Sequence, residues 1–272
     1  MPEAKGNARE SRCPAAVAGI HPTASLGFSR VAQAYDRGRP DYPKEAVDRL
    51  ATELDLHSGR RVLEVGAGTG KLTRRLLETG AEVIAVEPVA EMRAILRESA
   101  ARALLMEGRA EALPVPPCSV DGVAVGQAFH WFRGPEALSE FDRVLRPDAK
   151  LGLVWNVRDD RDPLSARLSA ILEPYRGSTP RYKEKAWQRA FGGSSAFRLS
   201  LELRFDWVAT MPVARLIERV MSVSCVGVQP WETQERIRRE AEALLRREAR
   251  GAPTVSLPHY TELYIYRHDR QG

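Results

Sequence analysis

The sequence contains little cysteine. Cys13, Cys118 and Cys225 are its three cysteines among 272 residues, and no two of them form a Cys-x-x-Cys pair. A disulfide framework and a cysteine-based zinc site both need more numerous or more closely spaced cysteines. The sequence therefore predicts reduced thiols and no metal site.

Long apolar runs are also missing. The longest runs, such as 83–86 and 151–155, are far shorter than the roughly 20 apolar residues that cross a bilayer. Near the start, the apolar stretch 15–20 is shorter than the apolar region of a secretory signal, and Glu10 and Pro14 lie beside it. We expect no membrane span and a cytoplasmic protein.

Charge of one sign is not in large excess. The 41 Lys and Arg residues face 36 Asp and Glu residues, so the net charge is only +5. A nucleic-acid-binding surface usually shows a stronger basic excess, and nucleic acid is not an expected partner. Lysine is scarce beside arginine, a bias typical of a GC-rich bacterial genome.

Short apolar runs alternate with helical patterns over residues 59–159, the predicted cofactor-binding core. Such alternation is typical of a parallel sheet covered by helices on both faces. It predicts an α/β fold with a doubly wound, Rossmann-like sheet that is mostly parallel. The predicted strands are 61–65, 82–86, 104–107, 121–125 and 151–155, and the predicted helices are 71–79, 90–101 and 135–145.

Other patterns flank this core. Residues 1–26 have no periodicity and predict a mobile leader, whereas 27–58 predict a helical cap. After the fifth strand, residues 160–200 predict an inserted helical lid, and 201–272 complete the sheet and its helices. The alternation in 261–267 predicts a last, antiparallel strand on the edge side of the sheet.

A glycine-rich turn links the first strand to the next helix. The run Gly66-Ala67-Gly68-Thr69-Gly70 comes directly after the strand, and glycines there permit a sharp turn and a close backbone approach to a ligand. A P-loop is excluded, because Val65 and Leu72 occupy its first glycine and hydroxyl positions. A dinucleotide-binding turn is disfavoured, because Lys71 occupies its third glycine position.

The pattern Glu64-x-Gly66-x-Gly68-x-Gly70 resembles the first motif of class I S-adenosylmethionine-dependent methyltransferases. In that family the glycine turn lies against the methionine part of the cofactor. Glu87 ends the next strand, where a carboxylate can accept hydrogen bonds from both ribose hydroxyls. The resemblance also implies that Ala110 and Glu111 flank the adenine.

Two residues before the sheet are expected to fold over the cofactor. They are Tyr35 and Arg39, and an arginine would suit the cofactor carboxylate. With them, the full set of expected cofactor contacts is Tyr35, Arg39, Glu64, Gly66, Ala67, Gly68, Gly70, Glu87, Pro88, Met92, Ala110, Glu111, Gln127 and Ala128.

The acceptor site is expected after the fourth strand, because ligands of open α/β sheets bind at the carboxyl ends of the strands. His130 there is a candidate base for a phenol, hydroxyl or amine acceptor, or else part of the pocket wall. Trp131, Phe132 and Trp155 could line an apolar acceptor pocket, and Trp155 could equally belong to the core.

The resemblance extends over residues 28–267. Within the family, the sequence is similar to the type 11 branch that includes trans-aconitate methyltransferase. It implies methyl transfer from S-adenosyl-L-methionine to a small organic acceptor at oxygen, nitrogen or carbon, with S-adenosyl-L-homocysteine as product. Two alternatives stay open. One is a protein of the same fold that binds the cofactor and catalyses a cyclisation or rearrangement. The other is an RNA or protein methyltransferase, whose basic and aromatic rim would be Arg181, Tyr182, Lys183, Lys185, Trp187 and Arg189.

Overall fold

The computed structural model describes residues 19–269, and the first eighteen residues of the predicted leader lie outside this part of the chain. The rest of the leader prediction is wrong, because helix α1 already begins at Pro22. His21 caps this helix by accepting a hydrogen bond from Thr23 N at 3.3 Å. Burial of the Ala24 and Val31 side chains further stabilises the helix.

Seven strands form one sheet in the order β3-β2-β1-β4-β5-β7-β6. Six of them run parallel and β7 runs antiparallel to both of its neighbours, which confirms the predicted fold class. The strands are β1 (Arg61–Val65), β2 (Glu82–Val86), β3 (Leu104–Met106), β4 (Val120–Gly126), β5 (Leu145–Arg158), β6 (Phe197–Pro212) and β7 (Thr254–His268).

Helices cover both faces of the sheet and extend beyond it. Leu63 and Val65 of β1 pack on one face, and Val62 on the other, so the central strand is apolar on both sides. The helices are α1 (Pro22–Gly38), α2 (Lys44–Glu53), α3 (Lys71–Leu77), α4 (Ala90–Ser99), α5 (Gly134–Val144), α6 (Pro163–Leu172), α7 (Arg189–Gly192), α8 (Val213–Met221), α9 (Ser224–Gly227) and α10 (Trp231–Ala249).

The position of β7 differs from the prediction. This strand was expected on the edge side, but it lies between β5 and β6, and β6 is the edge strand. Tyr264 and Tyr266 are buried although their alternation with Leu263 and Ile265 resembles that of a half-exposed strand. The side chains are covered by the segment between β5 and β6, which the local pattern could not reveal.

That covering segment, residues 160–200, packs aromatic rings onto the sheet. Tyr182 stacks on Trp155 with ring centroids 4.5 Å apart, and Phe191 stacks on Tyr266 at 3.9 Å. Lys185 Nζ donates to Glu262 at 2.7 Å and lies over the Tyr182 ring. These aromatic contacts and the Lys185–Glu262 ion pair therefore hold residues 160–200 against β5 and β7.

None of the helices between residues 19 and 269 combines the length and apolarity needed to cross a membrane.

Helix α1 packs tightly on the C-terminal helices α8 and α9 through glycine. A Cβ on Gly38 would lie 2.5 Å from Arg219 N and 2.7 Å from Glu218 C, both of them backbone atoms. Two further contacts hold this end of α1 on α8: Arg37 Nε donates to Glu218 Oε1 at 2.8 Å, and Arg215 Nε donates to Arg37 O at 2.6 Å.

Gly38→Ala is therefore expected to lower the free energy of unfolding by about 1–3 kcal/mol, because rigid backbone atoms of α8 must move. Alanine's higher helix propensity, about 1 kcal/mol, opposes this loss only in part. Urea denaturation followed by circular dichroism measures the effect. The control is Gln33→Ala on the exposed face of the same helix, and a Gly38→Ala variant more stable than wild type would contradict the expectation.

Candidate functional site

The glycine turn joins β1 to α3 and lies at the carboxyl edge of the sheet. Gly66, Gly68 and Gly70 have φ angles of 72°, 59° and 87°, a left-handed backbone that glycine adopts at little cost. Gly66 N donates to Val86 O at 2.8 Å, which ties the turn to the end of β2. A Cβ on Gly66 would be 2.7 Å from Ala128 Cβ, so the turn also packs on the segment after β4.

Glu87 follows β2, and its carboxylate reaches across to the glycine turn. Oε2 accepts a hydrogen bond from Gly68 N at 2.8 Å, and Oε1 accepts one from Val89 N at 2.9 Å. Burial raises the pKa of this carboxyl, and the two N–H donors act against the rise. Each oxygen still has a lone pair for another donor, so the carboxylate can hold two neighbouring hydroxyl groups.

A first cavity of about 750 Å³ opens beside Glu87. Residues from five different segments meet here. The expected contacts that line it are Tyr35, Gly66, Gly68, Glu87, Pro88, Met92, Ala110, Glu111, Gln127 and Ala128.

The sequence missed one wall of this cavity. That wall comes from the start of α1 and the residues before it: Gly19, Ile20, Ala24 and Phe28. Gly19, Ile20 and Ala24 fall within the predicted leader, because the sequence before residue 27 shows no periodicity. The sequence signal that could have extended the helix to include Ala24 is Pro22, because proline is favoured at the first helical position.

A second cavity of about 530 Å³ lies on the other side of Gly68. Three more of the residues predicted to contact the cofactor line it: Arg39, Glu64 and Ala67. Gly70 lines neither cavity and faces α4, where its Cβ would be 2.5 Å from Leu96 Cδ1. The residues of this cavity that the sequence did not predict include Tyr42, Lys71, Asn156, Arg219 and His259.

Glu64 has a supporting contact below the glycine turn. It is buried and accepts a hydrogen bond from Thr73 Oγ1 of α3 at 2.6 Å. Burial raises the pKa of its carboxyl to about 8, although the Thr73 hydroxyl acts in the opposite direction. The side chain thus links β1 to α3 and holds the turn between them.

His259 brings an unpredicted acceptor to the second cavity. Its Nδ1 lies 2.9 Å from Leu257 O and donates to this carbonyl, because only a protonated nitrogen can bond to a carbonyl oxygen. Burial lowers the pKa of His259 to about 4, so the ring is neutral near pH 7. Its Nε2 is then left as an acceptor.

A third cleft of about 1300 Å³ lies beyond the carboxyl end of β4. Tyr35 and Gln127 line this cleft and both smaller cavities, so all three meet at these residues. Gln127 adopts a left-handed φ of 60°. Its conformation is held by hydrogen bonds from N to Val154 O and from Nε2 to Asn156 O, both 2.9 Å long.

His130 lines the third cleft as a half-buried, neutral side chain. Trp155 Nε1 donates to its Nδ1 at 3.3 Å, which leaves the proton of the neutral ring on Nε2. Burial, and then the charge of Arg39, lower the pKa of His130 to about 3. This geometry favours the pocket wall over the general base, because Nε2 is a donor and the ring is weakly basic.

The low pKa of His130 predicts a measurable effect of pH on stability. The unfolded chain, with an ordinary histidine pKa near 6.5, binds this proton before the folded protein does, so stability falls as the pH drops below about 6.5. Between pH 7 and pH 5 we expect His130 to account for about 1–2 kcal/mol of lost stability.

Urea denaturation at both pH values, compared between wild type and His130→Gln, isolates this contribution from those of Glu64 and His259. The variant should lose less stability on acidification than the wild type. His57→Gln, at an exposed histidine, is the matched control, and an identical pH response of wild type and His130→Gln would refute the expectation.

The three aromatic residues that were predicted to line an acceptor pocket lie in different places. Trp155 is completely buried in the core beneath Tyr182 and Trp187, so the core interpretation of Trp155 is the correct one. Trp131 lines the first and third cavities and meets Phe28 of α1 edge-on at 5.6 Å. Phe132 lines the first cavity.

Comparison with known proteins places this architecture among methyltransferases. A family model described as a methyltransferase domain matches residues 63–153. An uncharacterized methyltransferase of Schizosaccharomyces pombe is 35% identical over 221 residues, covering 81% of this chain and 87% of that protein.

Two further similarities cover different extents. An uncharacterized methyltransferase of Mycobacterium tuberculosis is 50% identical over 137 residues, so the match spans about half of each protein: 50% of this chain and 55% of the relative. The solved structure of an Anaeromyxobacter dehalogenans protein superimposes with a TM-score of 0.61 over 85% of this chain and 97% of the other. At 24% identity, this last similarity indicates the fold alone.

Proposed function

Because the chain belongs to the class I S-adenosylmethionine-dependent methyltransferases, we propose that it transfers a methyl group from S-adenosylmethionine to a small organic acceptor. The observation that carries this proposal is the buried Glu87 carboxylate, which lies across the glycine turn and beside a cavity of about 750 Å³. A carboxylate in that place suits a ribose with two adjacent hydroxyls.

The two smaller cavities fit the two ends of this cofactor. The first is lined mostly by apolar groups such as Met92 and Ala110, which suit an adenine, and has Glu87 at its inner side. The second carries the cations of Arg39 and Lys71, which suit a carboxylate, and the neutral His259 as an acceptor for an ammonium group.

Gly68 lies between these cavities and lines both. A Cβ there would meet no atom of residues 19–269 within 4 Å. The missing side chain therefore leaves room for a ligand that passes from one cavity to the other.

The chemical task of the protein is to orient the reactants. S-adenosylmethionine supplies an electrophilic methyl group on a sulfonium. Tyr35 and Gln127 stand where the cofactor cavities open into the third cleft, so they position the acceptor in that cleft against the cofactor. Helix α1 covers the first cavity with Phe28 and limits the access of water. His130 forms part of the acceptor wall and donates from Nε2.

The surroundings of the cleft support a small acceptor over RNA or protein. In the basic segment that could form a macromolecular rim, Tyr182 and Trp187 are buried and cannot stack on a base. Lys183 pairs with Asp160, Lys185 with Glu262, and Arg181 with Glu173. These charges are already neutralised within the protein.

Calorimetric titration with S-adenosylmethionine and S-adenosylhomocysteine tests cofactor binding. We expect micromolar affinity for each, with a stoichiometry of one per chain. A screen of small acceptors by mass spectrometry then tests the reaction, since methylation adds the mass of one CH₂ unit and a cyclisation or rearrangement leaves the substrate mass unchanged. Absence of binding of both ligands would refute the proposed function. Turnover without a mass change would identify the non-methylating alternative.

A further inference from the structure

The third cleft is strongly basic. Six cationic and three acidic side chains line it: Arg39, Arg158, Arg176, Arg181, Lys183 and Arg219 against Asp160, Glu173 and Glu184. Arginine is the side chain best suited to bind a planar carboxylate or a phosphate through two hydrogen bonds. The excess of cations alone does not define a site, because some of them are paired.

Each of the three acidic side chains forms an ion pair with a cation of the same cleft. Arg181 pairs with Glu173 at 2.6 Å and with Glu184 at 3.3 Å. Lys183 pairs with Asp160, and Arg176 approaches Glu173 at 3.2 Å. Within the described residues, no further acid lines this cleft.

Arg219 and Arg39 are left without an acidic partner. Among residues 19–269, no carboxylate oxygen lies within 4.0 Å of either guanidinium group. Arg39 lies over the ring of Tyr35 at 4.7 Å, and its buried Nε has no hydrogen-bond partner in the described part of the chain. Burial, followed by the charges of Arg39 and Arg158, lowers the pKa of Arg219 well below its ordinary value.

Arg158 adds a third poorly neutralised cation. Its side chain is only 13% exposed, and its Nε lies 4.0 Å from Asp160 Oδ1, beyond hydrogen-bond distance. Among residues 19–269 its one side-chain hydrogen-bond partner is neutral: Nη2 donates to Ser169 Oγ at 2.7 Å. Buried cations that repel one another are costly unless an anion joins them.

The cofactor cannot supply all of this negative charge. In the proposed function its single carboxylate belongs to the second cavity, where Arg39 can bind it beside Lys71, which also pairs with Asp41 at 3.3 Å. Arg158 and Arg176 line the third cleft and not the second cavity. Arg219 lines both the second cavity and the third cleft, where the acceptor binds in the proposed function.

We propose that the acceptor is an organic anion whose carboxylate or phosphate group is bound by Arg219 together with Arg158. This inference rests on the proposed methyl transfer and adds the chemical class of its substrate. The anion lies at the arginine-lined part of the cleft, and the rest of the acceptor extends towards the junction at Tyr35 and Gln127. Arg219 is the specificity-determining residue of this arrangement.

The test is a calorimetric titration of the full chain with inorganic phosphate and, separately, with succinate, each with and without saturating S-adenosylhomocysteine. We expect the wild type to bind one of the two anions with a millimolar or lower Kd, and the preferred anion identifies the group. In Arg219→Met the affinity should fall about tenfold or more, as is usual for the loss of a charge-assisted contact.

Arg181→Met is the matched control, because Arg181 lines the same cleft but is paired with Glu173 and Glu184. Its anion affinity should stay within about twofold of wild type, since it changes the charge of the cleft by the same amount as Arg219→Met but removes no contact to the anion. Equal losses in both variants would indicate a general effect of charge and overturn the proposal.

Two other results would also overturn it. One is that neither anion binds to the wild type although S-adenosylhomocysteine does, which leaves the proposed function standing without this substrate class. The other is that Arg219→Met weakens S-adenosylhomocysteine binding and leaves anion binding unchanged, which would assign Arg219 to the cofactor. Anion binding through Arg219 in a protein that binds no cofactor would support the site and refute the methyl transfer.

Discussion

Replacement of Glu87 by alanine is expected to weaken the binding of S-adenosylhomocysteine about 100-fold or more. The wild-type carboxylate offers two oxygens to neighbouring hydroxyls, and each hydrogen bond to a charged group contributes about 1.5–3 kcal/mol. Two such bonds correspond to at least a factor of about 100 in Kd. The substitution also removes the acceptor of the Gly68 and Val89 N–H groups, which loosens the glycine turn.

Calorimetry on the purified variant measures this loss. Glu107→Ala is the control, because Glu107 lies just after the neighbouring strand but is exposed and pairs with Arg93 on the surface. Glu87→Gln tests the charge itself, since it keeps the shape and one acceptor oxygen, and it should bind more strongly than the alanine variant. A folded Glu87→Ala protein with wild-type affinity would remove the main support for the proposed ribose contact.

Replacement of Gly66 by alanine is expected to lower the free energy of unfolding by about 2–5 kcal/mol and to abolish cofactor binding. The left-handed backbone accounts for about 1–2 kcal/mol of this loss. Overpacking accounts for about 1–3 kcal/mol more, because the new Cβ would be 2.7 Å from Ala128 Cβ and 3.3 Å from the Phe132 ring. Both neighbours line the first cavity, so the adjustment changes its wall.

The variant Gly59→Ala separates the cost of the left-handed backbone from the cost of overpacking. Gly59 has a φ of 91°, but a Cβ there would meet no atom of the described part of the chain within 4 Å. This control carries the backbone cost alone and should lose only about 1–2 kcal/mol while binding the cofactor normally. Equal destabilisation of the two variants in urea denaturation would show that the contact with Ala128 is unimportant.

Several features of the protein could be predicted from local sequence. The bounds of β1 and β2 match their predictions, because a strand buried on both faces reads as a short apolar run wherever it occurs. The glycine turn and Glu87 follow these strands directly. Their chemistry depends on a few adjacent residues and on the carboxyl edge that parallel strands share, so a motif was sufficient to locate them.

Other features depend on contacts between distant parts of the chain. Arg219 and His259 join Arg39 and Glu64 around the second cavity although more than 150 residues separate the two pairs. Neither residue belongs to a local pattern of apolar spacing or turn chemistry. Only the packing of α8 on α1 and the pairing of β7 with β5 bring them to the site.

The same reason explains the corrections. The alternation in β7 resembled a strand with one exposed face, and only the covering segment 160–200 buries Tyr264 and Tyr266. His130 occupies its predicted place after β4, but its weak basicity comes from burial and from the charge of Arg39, both of which depend on the packing of distant segments. Local sequence thus determined the strands and the cofactor-binding turn, whereas tertiary packing decided which charges and rings face the acceptor, because side-chain burial and long-range pairing have no local signature.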